Sequence, residues 1–395
     1  MSLTVEEYAE RFTDEPGYLD FARIGPVGRT VRDEESAQSS LLGRARFGTL
    51  ASLHEQDERV REAVAATIGF RADQIAFQPN TSQGLMHALF GLSGRVALSS
   101  AEFPSLPFAV TRAADALGSI DPVWLTPDHG RITPGTIRDQ LPVDAVAVAV
   151  SLVDFRTGYL VDVDGVRQVI GDRLLILDAI QGFGAVEVPW TLADVVVSGG
   201  QKWVRAGAGT GFLAVSDRAA ELIRPVLSGF SSTDLDDLPL DEVAPPARGA
   251  RAFQISHADP VAQARLAVAL EELALVGVPE VSARIVTHVS RIIDLLDEFG
   301  IGIVSPRDER ERAGIVVAEP PAESLTALTA SLHNHGITAT VRGSRVRLSP
   351  HATTDEQTFG MLRAALVSYG TAAASLTWPS HGERACRAHS DCLRA

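Results

Sequence analysis

Over its first 250 residues the chain alternates short apolar runs with amphipathic stretches, and this rhythm restricts the fold more than any single residue does. QIAFQP (74–79), RVALSS (95–100), AVAVAVSLV (145–153), LLILDA (174–179), DVVVSG (194–199) and GFLAVS (211–216) have strand length and little polar alternation. Such runs read as strands covered on both faces. Between them, ERVREAVAATIGF, SQGLMHALFGL, LPFAVTRAADALG and DGVRQVIGD carry helical spacing. Strand–helix alternation predicts an α/β fold with a largely parallel sheet.

Residues 229–250, GFSSTDLDDLPLDEVAPPARGA, interrupt the rhythm and read as a long acidic loop at a domain junction, placed to close over a site as a lid. Beyond it come two helices, DPVAQARLAVALEELALVG and VPEVSARIVTHVSRIIDLLDEFG. AGIVVAE, a helix near 322–334, ITATVRG, SRVRLSP and a last helix over 354–368 then form an α+β pattern. The expected organisation is a large domain over 1–250, a smaller one over 251–370, and an aperiodic, disordered tail over 371–395. A chain of 395 residues suits two domains.

A formal net charge of −15 repels polyanions, which argues against nucleic acid or an anionic membrane as partner. No apolar run has bilayer-spanning length, and the acidic N-terminus lacks the features of a signal peptide. Cys386 and Cys392 are the only cysteines and form no disulfide framework. A cytoplasmic location is expected. His333 and His335, and the tail's His381 and His389, lack the tight spacing of a metal site, so no metal is expected.

Of the 35 lysines and arginines, one alone is lysine: Lys202, in VVVSGGQKWVRAGAGTG (195–211). It follows an apolar strand and precedes a glycine-rich passage, where α/β proteins place ligand chemistry. Arginine replaces lysine in most surface roles but forms no imine, whereas lysine can be tuned into a nucleophilic amine. A carbonyl cofactor is therefore the leading expectation. Other strand ends supply matching parts. PNTSQG places Thr81 and Ser82 at a helix N-terminus, suited to a phosphate dianion but equally to an ordinary cap. Phe103 follows the next strand and can stack on a pyridine ring or fill a core. Asp178 ends LLILD, where a carboxylate can keep a pyridine nitrogen protonated, and Gln181 follows it.

Asp-x-x-Gln at 178–181 and strand–Gly–x–Lys–Trp at 200–203 resemble the class V aminotransferase group of fold-type-I pyridoxal-phosphate enzymes, and the likeness runs from about residue 18 to Val367. The resemblance implies a mostly parallel sheet of the seven-stranded type, pyridoxal 5'-phosphate as cofactor, an amino-acid substrate and a homodimer. It implies that Lys202 holds the cofactor aldehyde, Asp178 pairs with the pyridine nitrogen and Gln181 approaches the ring oxygen. Gln201 precedes the lysine, and Thr81, Ser82 and Phe103 fall on the phosphate loop and the stacking position. Arg347, in SRVRLSPH, falls on the arginine that grips a substrate α-carboxylate. Ser256 and His257 stand where dimeric members carry the Gly-Thr that reaches the partner's phosphate.

The implied activity is a class V aminotransferase-type reaction through a Cα carbanion. The alternatives are a kynureninase-like or C–S lyase. SLVDFRTGYLVDV (151–163) and Phe103 resemble kynureninases, but Gln201 and the Asp-x-x-Gln pattern depart from them. Persulfide-forming desulfurases need a cysteine upstream of the last strands, and none precedes Cys386. GAGTG (207–211) invites a nicotinamide-dehydrogenase reading, but it precedes a strand rather than opening a helix. A catalytically silent binding protein is the remaining alternative.

Overall fold

The computed structural model describes residues 2–44, 46–234 and 241–376. Helices α1 (Val5–Ala9), α2 (Arg29–Arg44) and α3 (Thr49–Ile68) precede β1 (Ile75–Phe77). Then follow α4 (Thr81–Phe90), β2 (Gly94–Ser99), α5 (Ser105–Leu117), β3 (Ile120–Leu125), α6 (Pro134–Gln140) and β4 (Ala145–Ser151). The segments α7 (Val163–Ile170), β5 (Leu174–Asp178), β6 (Val195–Gly199), β7 (Gly211–Val215) and α8 (Asp217–Leu222) complete the first half. Helices α9 (Pro260–Val276) and α10 (Val278–Glu298) lead to β8 (Gly302–Ile303), β9 (Val316–Glu319), α11 (Leu325–Asn334), β10 (Thr340–Arg342), β11 (Arg345–Leu348) and α12 (Glu356–Leu376).

The first sheet has seven strands in the order β1-β7-β6-β5-β4-β2-β3. Strands β2 to β6 are parallel, and β7 lies antiparallel between β6 and β1. Every residue of β5, β6 and β7 is buried, as strands covered by helices on both faces must be. The second sheet is antiparallel, in the order β10-β11-β9-β8. The α/β expectation with a mostly parallel seven-stranded sheet and a smaller second sheet therefore holds.

Three elements depart from the sequence expectation. The six apolar runs omit β3, which lies at the sheet edge with Asp121 exposed. Pro122 is tolerated there because an edge strand has one row of unpaired backbone groups. Helix α2 is polar along most of its length and buries only Val31 and Gln38, too narrow a stripe to register as periodicity. The last helix does not end near residue 368 but continues to Leu376, so the start of the expected disordered tail is helical; residues 377–395 lie outside the described ones.

Two connections cross residue 250. Helix α9 packs on α2 and α3, and its buried Glu272 accepts from Arg11 at 3.0 Å and Thr30 at 2.6 Å. In the opposite direction the N-terminal segment joins the second sheet: the Leu19 N–H donates to Thr338 O at 3.0 Å, and the Ser349 N–H to Leu19 O at 2.7 Å. The segment then runs back to the first sheet, where the Gly25 N–H donates to Gln201 O at 2.8 Å. A Cβ on Gly25 would collide with the Lys202 carbonyl oxygen, so only glycine permits this approach. The N-terminal segment thus links the small sheet to the carboxyl ends of the parallel strands, the edge where open α/β sheets bind ligands. Among the described residues no helix is long and apolar enough to cross a membrane.

Candidate active site

Lys202 lies three residues beyond β6 in a loop braced from several sides. Trp203 is buried and stacks near His351, with ring centroids 6.4 Å apart. His351 Nε2 lies 3.2 Å from the Trp203 carbonyl oxygen. Arg205 adopts a left-handed backbone, φ 62°, which a non-glycine residue keeps only when its surroundings over-determine it. Its guanidinium lies 3.7 Å from the Phe12 ring centroid and donates to Pro26 O, Thr353 Oγ1 and Asp14. The loop that presents the lysine is therefore fixed before any ligand arrives.

Lys202 borders a cavity of about 280 Å³ whose lining includes Thr81, Ser82, Phe103, Asp178, Gln181, Gln201 and Arg347. Every residue assigned to the cofactor or substrate from the sequence is thus brought to one place. Asp178 is fully buried: Oδ1 accepts from the Ile180 N–H at 3.1 Å, while Oδ2 has no hydrogen-bond partner among the described residues. Gln181 is held in one orientation. Its Oε1 accepts from the Trp203 indole N–H at 3.2 Å, and its Nε2 donates to Ala22 O at 2.9 Å. Both partners are single-function groups, so the amide cannot be flipped, and one Nε2 hydrogen remains for the cavity. Trp203 had no assigned role; it acts by setting this amide.

One wall of the cavity is the start of α4. The Asn80 side chain caps that helix, accepting from the Gln83 N–H at 2.9 Å. Thr81 Oγ1 is buried without a partner, and Ser82 Oγ lies 2.7 Å from Ser105 Oγ. Phe103 lies with its ring centroid 5.6 Å from Lys202 Nζ and meets Phe155 edge-on at 5.2 Å. Arg347, which also lines the cavity, is buried on β11. Its Nη2 donates to Asp20 Oδ1 at 3.2 Å and Thr340 Oγ1 at 3.3 Å, while Nε has no partner. Arg23, Arg342, Ala22, Asn80, Ser105 and Ile180 also line the cavity and were not singled out from the sequence. An arginine carries little signal in a chain so rich in them, and Ala22 and Arg23 lie far upstream of the motif residues.

Ser256 and His257 do not reach this cavity. They line a separate groove of about 1180 Å³, where His257 stacks on His54 at 5.8 Å and meets Phe230 at 5.2 Å. Phe230, Ser231, Thr233 and Arg248 border that same groove, so the described ends of the acidic loop do not cover Lys202 within the chain. The lid expectation is corrected to that extent; residues 235–240 lie outside the described ones. GAGTG leads into β7 and opens no helix, which removes the structural context a dinucleotide loop requires.

Burial brings the Lys202 amine down to about 8; Asp178 opposes this, and Arg347 and Arg342 add to it. Burial pushes the Asp178 carboxyl up to about 6, against the Ile180 hydrogen bond and the Lys202 charge. A lysine at about 8 is still mostly charged near physiological pH, but its neutral fraction far exceeds that of an ordinary lysine and can act as nucleophile or base. Because no other lysine exists, acetic anhydride labelling of the cofactor-free protein, read by peptide mass spectrometry, reports this amine directly. Its rate is expected to rise with pH and level off near pH 8, not near the ordinary value of 10.5.

A family model described as aminotransferase class-V matches residues 30–374. The chain belongs to the class-V aminotransferase family. A probable cysteine desulfurase of Methanothermobacter thermautotrophicus is 27% identical over 227 residues, 54% of this chain and 56% of that protein. The chain therefore matches little more than half of that curated relative's length. The apo structure of a cysteine desulfurase from Thermococcus onnurineus NA1 superposes with a TM-score of 0.80 at 19% identity, covering 95% of this chain and 98% of that one. A cystine C–S lyase with its reaction product cysteine persulfide gives 0.80 at 19%, covering 89% and 97%. A mutant of that lyase has glycine covalently linked to its PLP cofactor. These similarities place the chain in the fold-type-I class.

The residues present fit pyridoxal phosphate, the cofactor named for that lyase mutant. Asp178 Oδ2 and Thr81 Oγ1 are buried polar atoms with no protein partner, the first suited to a protonated ring nitrogen and the second to a phosphate oxygen. Ser82 and the backbone N–H groups at the start of α4 are further donors that would suit a phosphate there. Phe103 supplies an apolar face, Gln181 a fixed N–H, Gln201 a polar side chain beside the lysine, and Lys202 the amine. The nicotinamide and silent-binder alternatives have no comparable support.

Proposed function

We propose that this enzyme acts on an α-amino acid, with Lys202 moving the Cα proton and Arg347 holding the α-carboxylate, in a class V aminotransferase-type reaction. One observation carries the reading: the chain's single lysine lies buried beside Asp178, in a cavity that the buried Arg347 also lines. Asp20 and Thr340 engage Nη2 of Arg347, and the buried Nε, which has no partner among the described residues, remains to donate to a carboxylate. Bound pyridoxal phosphate supplies the electron sink that makes the Cα proton acidic. Asp178 maintains the positive charge on which that sink depends. Lys202, its amine brought down to about 8 by burial, accepts the proton in its neutral form when not covalently engaged.

Carbon–sulfur cleavage is the second reading, supported by the desulfurase and C–S lyase relatives. No cysteine precedes Cys386, so a lyase releasing its sulfur-bearing product fits better than one loading an upstream cysteine. Kynureninase-like cleavage draws only on Phe103 and its surrounding segment. The test is a screen of amino acids on the purified holoenzyme for spectral change, with assays for keto acid, alanine, pyruvate and released sulfur. Keto acid formed with retention of amine on the enzyme supports transamination; pyruvate with sulfide or persulfide supports the lyase. No spectral response to any amino acid would falsify the reading.

We also propose a homodimer. Leu42, Leu50 and Phe230 are exposed around the groove that holds Ser256 and His257, an apolar margin that a second copy would cover. Light scattering is expected to give twice the mass of 42.0 kDa, and Leu50→Asp with Phe230→Asp to shift the population to monomer.

A further inference from the structure

The arginine that holds the α-carboxylate is not alone. Arg23, from the N-terminal segment, and Arg342, at the end of β10, line the same cavity as Arg347. Among the described residues neither makes an ion pair, whereas Asp20 is already engaged by Arg347 and by Thr340 at 2.8 and 2.9 Å. Arg342 is positioned rather than free-swinging. Its guanidinium lies 5.2 Å from the Phe155 ring centroid, and Phe155 meets Phe103 edge-on at the cavity wall. The three guanidinium groups are near enough for Arg342 and Arg23 to oppose the Arg347 charge. In a chain of net charge −15, three guanidinium groups of which only Arg347 has an acidic partner among the described residues concentrate positive potential where a ligand enters.

The cofactor phosphate is served by the start of α4, and a substrate α-carboxylate by Arg347. Two cations then remain without an anion. Resting on the proposed function, we infer that the substrate is an α-amino acid with an acidic side chain, whose second anionic group is received by Arg342 and Arg23 at the mouth of the Lys202 cavity.

Calorimetric titration of the holoenzyme with unreactive carboxylates of matched length tests this: succinate against butyrate, and glutarate against valerate. The dicarboxylate of at least one pair is expected to bind about tenfold or more tightly than its monocarboxylate, as one added charge-assisted contact implies. The ratio is expected to shrink as ionic strength rises and to collapse towards one in Arg342→Gln combined with Arg23→Gln. A merely structural loss would weaken both members of a pair and leave the ratio unchanged. Ratios near one in the wild-type enzyme, or a ratio that survives in the double variant, overturn the inference. Both residues are exposed, so the variants are expected to fold. The visible absorbance of the same samples and its loss on borohydride treatment report Lys202 separately. An absent band overturns the proposed function and this inference together; a normal band with ratios near one overturns this inference alone.

Discussion

Lys202→Ala is expected to abolish the visible absorbance of protein incubated with pyridoxal phosphate and to reduce turnover of the best amino acid by about a thousandfold or more, within the range for loss of a positioned acid–base group. Lys202→Arg is the sharper test. It keeps the positive charge, and arginine is what this chain uses at every other basic position. If charge alone mattered, the arginine variant would retain most of the function. It is expected to be as inactive as the alanine variant, because a guanidinium at neutral pH neither forms an imine nor accepts a proton. Neither variant breaks an ion pair, so circular dichroism and thermal unfolding are expected to show an intact fold. Visible absorbance with wild-type intensity in Lys202→Arg would show that the cofactor is held without this amine.

Asp178→Asn is expected to lower the rate of Cα-proton exchange by about 10²–10³, the usual cost of removing one preorganised electrostatic contact. The same substitution should stabilise the cofactor-free protein. The folded carboxyl titrates near 6, above its ordinary 3.8, so the folded state holds this proton more tightly than the unfolded chain. The resulting stability is present in full below about pH 4 and is lost as pH rises through 6. At pH 7 the wild-type protein therefore carries a buried, unfavourable charge. Asparagine removes it, with an expected gain of about 1–3 kcal/mol in denaturant unfolding at that pH. The midpoint of Lys202 acetylation should also fall below about 8, because Asp178 is what raises it against burial. Loss of activity with a gain of stability separates a catalytic carboxylate from a structural one.

The mostly parallel sheet was legible because its parallel strands β5 and β6 and the antiparallel β7 beside them are buried throughout, and their sequences carry that fact as unbroken apolar runs. Strand β3 and helix α2 were not legible: one is an edge strand with a proline, the other a mostly polar surface helix, and neither buries enough to leave a period. Lys202 was singled out by a compositional accident, in that arginine everywhere else made one lysine conspicuous. The same bias hid Arg23 and Arg342.

The sequence by itself determined the residue types at the strand ends: a lone amine, a carboxylate, hydroxyls at a helix start, and an arginine on a late strand. These depend on local chemistry and strand order, both of which are written along the chain. Tertiary structure alone decided that Gln181 is locked between Trp203 and the Ala22 carbonyl. It also decided that Arg347 has a prior partner in Asp20, 327 positions away. Folding brings Arg23 and Arg342 together from opposite ends of the chain and carries Ser256 and His257 to another groove. Those arrangements are set by packing between distant segments, and no local pattern of residue types encodes which distant groups will meet.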